Sequence, residues 1–490
     1  MAVEPFGADA TDCLEGYHEV DPDASQLRLL LNYGHFSELM PEIHRDHYAV
    51  SGDRARGFTL RHASAEFAAD EARDIMLTEF GGPFGIAAPP AALDARFDAL
   101  AATAPTFGAD LFVLHDQLYA FYERALIEPP LLTDAGMRAA VGVDNAEFGR
   151  FRAAVYAIGD ICRGLARALR RVEAGDVDEA VEHELFEWIS VNWRADFLVG
   201  VLAKLSGLPA SQVEKLLEIY TLDLRPDARR TKHAGDGFLP PFTRLSDSYI
   251  FNGDLIRLFM LARNVLFVLN RLDRKRFDDL VSKEMEPMLI DQAAAVLARL
   301  PGVEIIRNFD WGEGEIDLLV YSPAENIALH VQVKAAIPPQ GARMVAAIES
   351  RAREGLEQLK RLRELDPKRR DAVLSEALGH DVHDVAVIDV LLSRTSFGTS
   401  PLWREAGTVA LVNLLLLADV AAAVDADKPL AAFDRRAADR LDEVVALAKP
   451  DWVEREIDLE LAKLRLPILD YDFEALGRAR ADAWERVGTP

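Results

Sequence analysis

Cysteine is nearly absent. The 490 residues contain two, Cys13 and Cys162, which excludes a disulfide framework and a cysteine-based zinc site. A hydrophobic signal region is not expected in "MAVEPFGADATD", which is acidic. The most apolar run, "VALVNLLLLADVAAAV", is short of a membrane span and is interrupted by Asn413 and Asp419. Basic residues are in deficit. Lys and Arg number 55 against 81 Asp and Glu, a formal net charge of −26. That balance argues against general affinity for nucleic acid or anionic membrane. It does not exclude a local nucleic-acid site, because local charge matters more than the sum. These features lead us to expect a soluble, cytoplasmic protein of a reducing compartment.

Half of the residues are hydrophobic, many of them alanine, so a sizeable and largely helical core is expected. Residues 1–245 read as a mainly helical region. "ARFDALAATA", "LFVLHDQLYAFYERALI", "FGRFRAAVYAIGDICRGLARALRRVEA" and "VEHELFEWISVNWRADFLVGVLAKLSG" place apolar residues three and four apart. Pro240–Pro241 is the best boundary. "SDSYIFNGDLIRLFMLARNVLFVLNRLD" predicts a connecting helix over 246–276.

From 277 to 425 the pattern changes. A helix over about 277–300 is followed by three strands, "VEIIRNFDW", "EIDLLVYS" and "NIALHVQVK". A charged helix, "IESRAREGLEQLKRLREL", precedes two more strands, "DVAVIDVLLSR" and "TVALVNLLLL". Residues 426–490 read as a helical tail. The fold class expected is therefore α/β: a core of helix, three-strand meander, helix and two strands, after a large helical region.

Two of these strands carry polar residues where core strands are normally apolar. Alternation puts Glu315, Asp317, Leu319 and Tyr321 on one face of the first. His330, Gln332 and Lys334 share a face of the second. A hairpin register with Asp317 opposite Gln332 and Glu315 opposite Lys334 unites these groups in one patch. A one-residue slip would disperse them. Carboxylate and amide oxygens are hard ligands suited to Mg²⁺. An ammonium beside them can stabilise developing negative charge. The set suits metal-assisted hydrolysis of a phosphodiester.

"GEID" followed after a hairpin by "QVK" resembles the PD-(D/E)XK nuclease superfamily, the restriction-endonuclease-like fold, over about residues 277–420. Glutamine in the acidic position resembles its Mrr-type branch. The resemblance implies Asp317 and Gln332 as metal ligands, Lys334 as the catalytic lysine, and Mg²⁺ or Mn²⁺ as cofactor. It further implies nucleic acid, DNA rather than RNA, as partner. The alternative is an inactive nuclease-fold protein serving as a binding or scaffold module, since Gln332 removes one negative charge.

Family members often add an acid from the preceding helix. At about 100° per residue, Leu289, Ala293, Val296, Leu297 and Leu300 fall within about 80° of Glu286, whereas Glu284 lies on the opposite side. Glu286 is therefore the expected third ligand, with Glu315 and Gln358 in support. Basic islands at Arg263–Lys283 and Glu349–Arg370 flank the patch. Arg351, Arg353, Lys360 and Arg363 are candidate phosphate contacts. Two histidine clusters, His44 and His47 beside Glu42, and "HDVHD" at 380–384, lack a complete ligand set. "LAKLSGLPASQVEKLLEIYTLDL" reads as a structural helical hairpin rather than a DNA reader.

Overall fold

A computed structural model describes residues 17–19, 39–82, 92–102, 108–125, 130–174, 189–223, 240–260, 262, 264–272, 274–337, 342–424, 427–458 and 463–487. Cys13 and the segment 181–188 lie outside them. The architecture is mixed α/β, with helices and three sheets. No helix among the described residues is long and apolar enough to cross a membrane. The chain divides into two compact units, Met1–Ala24 with Phe84–Leu280 and Ser25–Pro83 with Val281–Pro490.

The chain opens with β1 (Tyr17–Glu19), the hairpin β2 (Tyr48–Asp53) and β3 (Gly57–His62), and α1 (Ala65–Gly81). The hairpin was not expected, since residues 1–245 read as mainly helical. Its turn forms because Asp53 Oδ1 accepts from the backbone of Ala55 and Arg56, both at 2.9 Å, and Gly57 takes a φ of +87°. Helix α1 starts at Ser64, whose hydroxyl accepts from Phe67 N. β1 belongs to the first unit, and β2, β3 and α1 to the second.

Helices α2 (Ala92–Ala102), α3 (Gly108–Ala125), α4 (Asp134–Val141) and α5 (Asn145–Ala174) follow. Next come β4 (Ile189–Arg194), α6 (Ala195–Ser206), α7 (Ala210–Ile219), β5 (Thr221–Asp223), β6 (Phe242–Leu245) and β7 (Ser248–Phe251). "ISVNWR" is thus a strand, not the helix its neighbours suggested. Its period is two, with Val191 and Trp193 buried, and it pairs antiparallel with β7. The first-unit sheet has the order β1-β4-β7-β6-β5. As expected, α6 and α7 form a hairpin about left-handed Gly207, with Val213, Leu216 and Leu217 buried.

The helix expected over 246–276 is broken into β7, α8 (Gly253–Phe259), α9 (Asn264–Leu272) and the start of α10 (Arg274–Leu280). The cause is local: "SYIF" buries Tyr249 and Phe251 alternately, and Asn252 then caps α8 by accepting from Asp254 N and Leu255 N.

In the second unit, a π-helical turn (Val281–Met285) leads into α11 (Glu286–Leu297). Then come β8 (Glu304–Asp310), β9 (Glu315–Ser322), β10 (Ile327–Lys334), α12 (Ala342–Arg363), α13 (Pro367–Leu378), β11 (Ala386–Ser393), α14 (Ser400–Ala406) and β12 (Ala410–Asn413). The five strands form one sheet in the order β12-β11-β10-β9-β8, antiparallel from β8 to β10 and parallel from β10 to β12. β9 is buried from Ile316 to Ser322, so both its faces are covered. Leu319 and Tyr321 pack against Leu362 of α12 and Leu374 of α13. Helix α11 packs against β9 and β10.

The strand expected over "TVALVNLLLL" stops at Asn413, whose side chain caps α15 (Leu414–Ala422) by accepting from Leu416 N. The tail holds α16 (Phe433–Ala448) and α17 (Phe473–Val487), and between them a hairpin, β13 (Asp451–Asp458) and β14 (Lys463–Asp470). A purely helical tail is therefore corrected. Leu464 and Leu466 alternate into a small core with Leu60, and β14 pairs in parallel with β3 in a sheet ordered β13-β14-β3-β2.

Candidate functional site

The β9–β10 ladder fixes the geometry. Leu329 pairs with Val320, His330 with Leu319 and Val331 with Leu318. Continued by one rung, this register sets Gln332 opposite Asp317, and two rungs later Lys334 opposite Glu315. It is the register the polar alternation requires. The polar face is nevertheless not a solvent face: Asp317 is 6% exposed, Gln332 1% and His330 1%. Only Glu315, at the start of β9, is exposed.

Asp317 is held closely. Its Oδ2 accepts from Val333 N at 2.7 Å and from Gln332 Nε2. Burial raises its pKa to about 7. The Val333 N–H and the Lys334 ammonium pull the other way, and the charges of Glu286 and Glu315 reinforce the rise. The Gln332 Oε1 is buried without a hydrogen-bond partner.

Lys334 Nζ stands 3.8 Å from Glu286 Oε1. Glu286 opens α11, while Glu284 sits in the π-helical turn before it. Burial pushes the Glu286 carboxyl up, against the opposing charges of Lys334 and Arg351. Helix α12 closes over the lysine at Gly355. A Cβ there would lie 2.5 Å from Leu391 Cδ1 and 3.3 Å from Lys334 Cγ. Gly355 thus lets the helix approach the lysine stem. Gln358 is three residues further along, on the same side of the helix, and its Oε1 is buried without a partner.

Two features were not read from the sequence. Gly355 is one. The other is an ionic chain on the same sheet face: His330 Nδ1 lies 3.0 Å from Asp389 Oδ1, and Arg363 Nη1 donates to Asp389 Oδ2 at 3.2 Å. The signal was present, because Asp389 is an acid inside an otherwise apolar strand.

Of the other candidate phosphate contacts, Arg351 donates to Ala335 O at 3.2 Å, Arg353 pairs with Glu405 and Glu349, and Lys360 lies 3.9 Å from Glu364. In the two histidine clusters, the histidines that pair do so with a carboxylate, buried in one case and exposed in the other. His47 Nδ1 meets Glu42 Oε2, and His380 Nε2 lies 3.0 Å from Glu304 Oε2.

The donor set fits a hard divalent cation in its chemistry. Two carboxylates whose pKa values burial has raised, and a buried amide oxygen without a partner, are groups that such an ion satisfies. Among the described residues, no group of three or more His, Cys, Asp or Glu side chains is gathered as a metal site.

No protein-family model, no curated protein and no solved structure matches the chain.

Proposed function

We propose that the protein is a metal-dependent nuclease of the PD-(D/E)XK type, with a restriction-endonuclease-like core over about residues 277–420. DNA is the proposed substrate, and water the nucleophile. The observation that carries this reading is the meeting of Asp317, Gln332, Lys334 and Glu286 where β9 begins and β10 ends.

Asp317, Gln332 and Glu286 would hold Mg²⁺ or Mn²⁺. When bound, the cation supplies Lewis-acid stabilisation of phosphoryl charge and a more acidic water. Asp317 would serve as a ligand only when ionised, so its carboxyl would have to give up its proton to hold the cation. Gln332 keeps its amide against Asp317 and presents its oxygen, adding a donor without adding charge. Lys334, its stem confined by Gly355, aims its ammonium at the rim beside Glu286, where it can neutralise charge building on the phosphate oxygens.

The test offers labelled linear, circular and branched DNA, and RNA, to the purified chain with Mg²⁺ or Mn²⁺, beside Asp317→Ala and Lys334→Ala. Cleavage by the unsubstituted protein and its loss in both variants is expected. Equal inertness of all three on every substrate would sink the proposal.

One observation favours a second reading, a nuclease-fold binding or scaffold module without catalysis. The Gln332 amide already donates to Asp317, where an active site would present the carboxylate to a cation. The presence of the lysine beside one buried and one half-buried acid weighs against it.

A further inference from the structure

A strand at the edge of a sheet offers unpaired N–H and C=O groups to any other strand, and proteins block such edges by shortness, cover or charge. Among the described residues, most edges of the three sheets are blocked in one of these ways. β1 and β5 have three residues each, and β12 has four, all buried. β8 carries Glu304, Arg307 and Asp310, and β13 carries Asp451, Glu454, Arg455, Glu456 and Asp458. β2 is the exception. It has six residues, is exposed from Ala49 to Asp53, and carries no charge before Asp53 at its end.

The hydrogen-bond phase shows which groups β2 offers. Ala63 N donates to His47 O at 2.9 Å. From there the register pairs Tyr48 with His62, Ala49 with Arg61, Val50 with Leu60 and Ser51 with Thr59. In an antiparallel ladder the bonded pairs alternate, so Ala49 and Ser51 bond to β3 while Tyr48 and Val50 turn their N–H and C=O outward. Val50 also shares a face with its partner Leu60, which is buried in the small core with Ile457, Leu464 and Leu466. Val50 itself is 49% exposed. An apolar side chain thus stands at the open margin of a core, beside an unpaired backbone edge.

We propose that β2 pairs antiparallel with β2 of a second copy of this chain, about a two-fold axis at Val50, so that two four-stranded sheets become one. The strand is complementary to itself in that register. Val50 meets Val50 and exchanges both backbone bonds with it, and the two side chains close the margin of both cores. Tyr48 faces Gly52, which has no side chain of its own and which a cross-strand aromatic can cover. Carried past the strand ends, the same register brings the turn after β2 to the turn before it, with Arg54 facing Asp46. Both are exposed, and neither forms an ion pair within its own chain among the described residues. An isologous contact uses this pair twice, once on each side of the axis. The charges therefore select a second copy and fix its register.

The experiment is sedimentation velocity on the full chain, with light scattering to fix the mass. The contact is smaller than a standard interface, so a dimer with a dissociation constant of about 10 μM is expected. Val50→Lys sets two ammonium groups against each other on the axis, and is expected to give a monomer with an unchanged circular dichroism spectrum. Arg54→Asp and Asp46→Arg are each expected to weaken dimerisation at least about tenfold, and the double variant to restore it. The proposal is overturned if the chain stays monomeric at about 200 μM, or if a folded Val50→Lys variant dimerises as the unsubstituted chain does. It is equally overturned if the single charge reversals leave dimerisation unchanged, or if the double reversal fails to restore what they lose.

Discussion

Asp317→Asn should stabilise the protein at alkaline pH. Asparagine has nearly the same shape, and its Oδ1 can accept from Val333 N and Gln332 Nε2 as the carboxylate does. What it removes is the cost of ionising a group that burial opposes. Burial raises the Asp317 carboxyl from its ordinary value of 3.8 to about 7. Below about pH 4 the side chain is protonated in folded and unfolded chains alike, and the charge makes no difference. Between about 4 and 7 the unfolded chain has released a proton that the folded chain retains, so stability falls as pH rises. Above about 7 both are ionised and the loss is complete. The full difference corresponds to roughly 4 kcal/mol as an upper figure, and to roughly 2 kcal/mol if the site relaxes on ionisation. Urea unfolding of both proteins from pH 4 to 8.5 measures it. Asp74, also raised to about 7 by burial, contributes to both curves and cancels in their difference. The gap should open from near zero at pH 4 to a plateau above pH 7. A gap that does not change with pH, or an asparagine variant less stable than the parent at pH 8, would refute the account of Asp317 as a desolvated carboxyl.

Gln332→Glu places a second carboxylate against Asp317. Without metal at pH 8 it should lower the melting temperature, and added Mg²⁺ should raise it by more than in the parent, as preferential binding to the folded state requires. A melting temperature insensitive to Mg²⁺ in both proteins would count against a cation site. Gly355→Ala drives a methyl group into Leu391 and the stem of Lys334, and should cost about 1–3 kcal/mol in urea unfolding. If the lysine acts on a phosphodiester, cleavage should fall further than stability does, since a displacement of about 1 Å can cost about 100-fold in rate. Deleting residues 39–82 should abolish cooperative unfolding of the second unit, read by near-ultraviolet circular dichroism, because Leu60, Met76, Leu77 and Phe80 belong to its buried core.

The strands that build the candidate site were legible because period-two alternation is a strong local signal. β9 spans the predicted segment, and β10 begins one residue after its own. The polar groups on that alternation also constrained the register, since a one-residue slip strands Asp317 among Leu329, Val331 and Val333. Charged surface strands were not legible. "DWVEREID" and "KLRLPILD" interleave acids and bases with apolar residues, and their neighbours α16 and α17 are strongly helical. The break in the helix expected over 246–276 depended on one cap, Asn252, that its apolar surroundings concealed. The inward polar groups could be named from sequence, but not their partners. Whether Lys334 pairs with Glu286 depends on where α11 starts relative to the sheet, which is a matter of packing.

The same limit explains why the boundary near residue 277 does not isolate a folding unit. Helix α1, from the other end of the sequence, is bound to the connection that follows β11. Asp74 Oδ1 accepts from Phe397 N at 3.0 Å and from Trp403 Nε1 at 3.1 Å, and Asp70 Oδ2 accepts from the Ser400 hydroxyl at 2.7 Å. Leu77 O accepts from Asn413 Nδ2 at 2.7 Å, at the end of β12. Ser393, the last residue of β11, is the parallel partner of Lys334. The strand ends beside the lysine are thus set by a helix that a sequence-based boundary would assign elsewhere. Buried hydrogen bonds of this kind are costly to leave unmade, so the site and α1 hold their positions together. A fragment starting at 277 would lack the α1 acceptors for Phe397, Trp403 and Ser400 and the shorter of the two for Asn413, and an inactive fragment would therefore say nothing about the chemistry of Asp317 and Lys334.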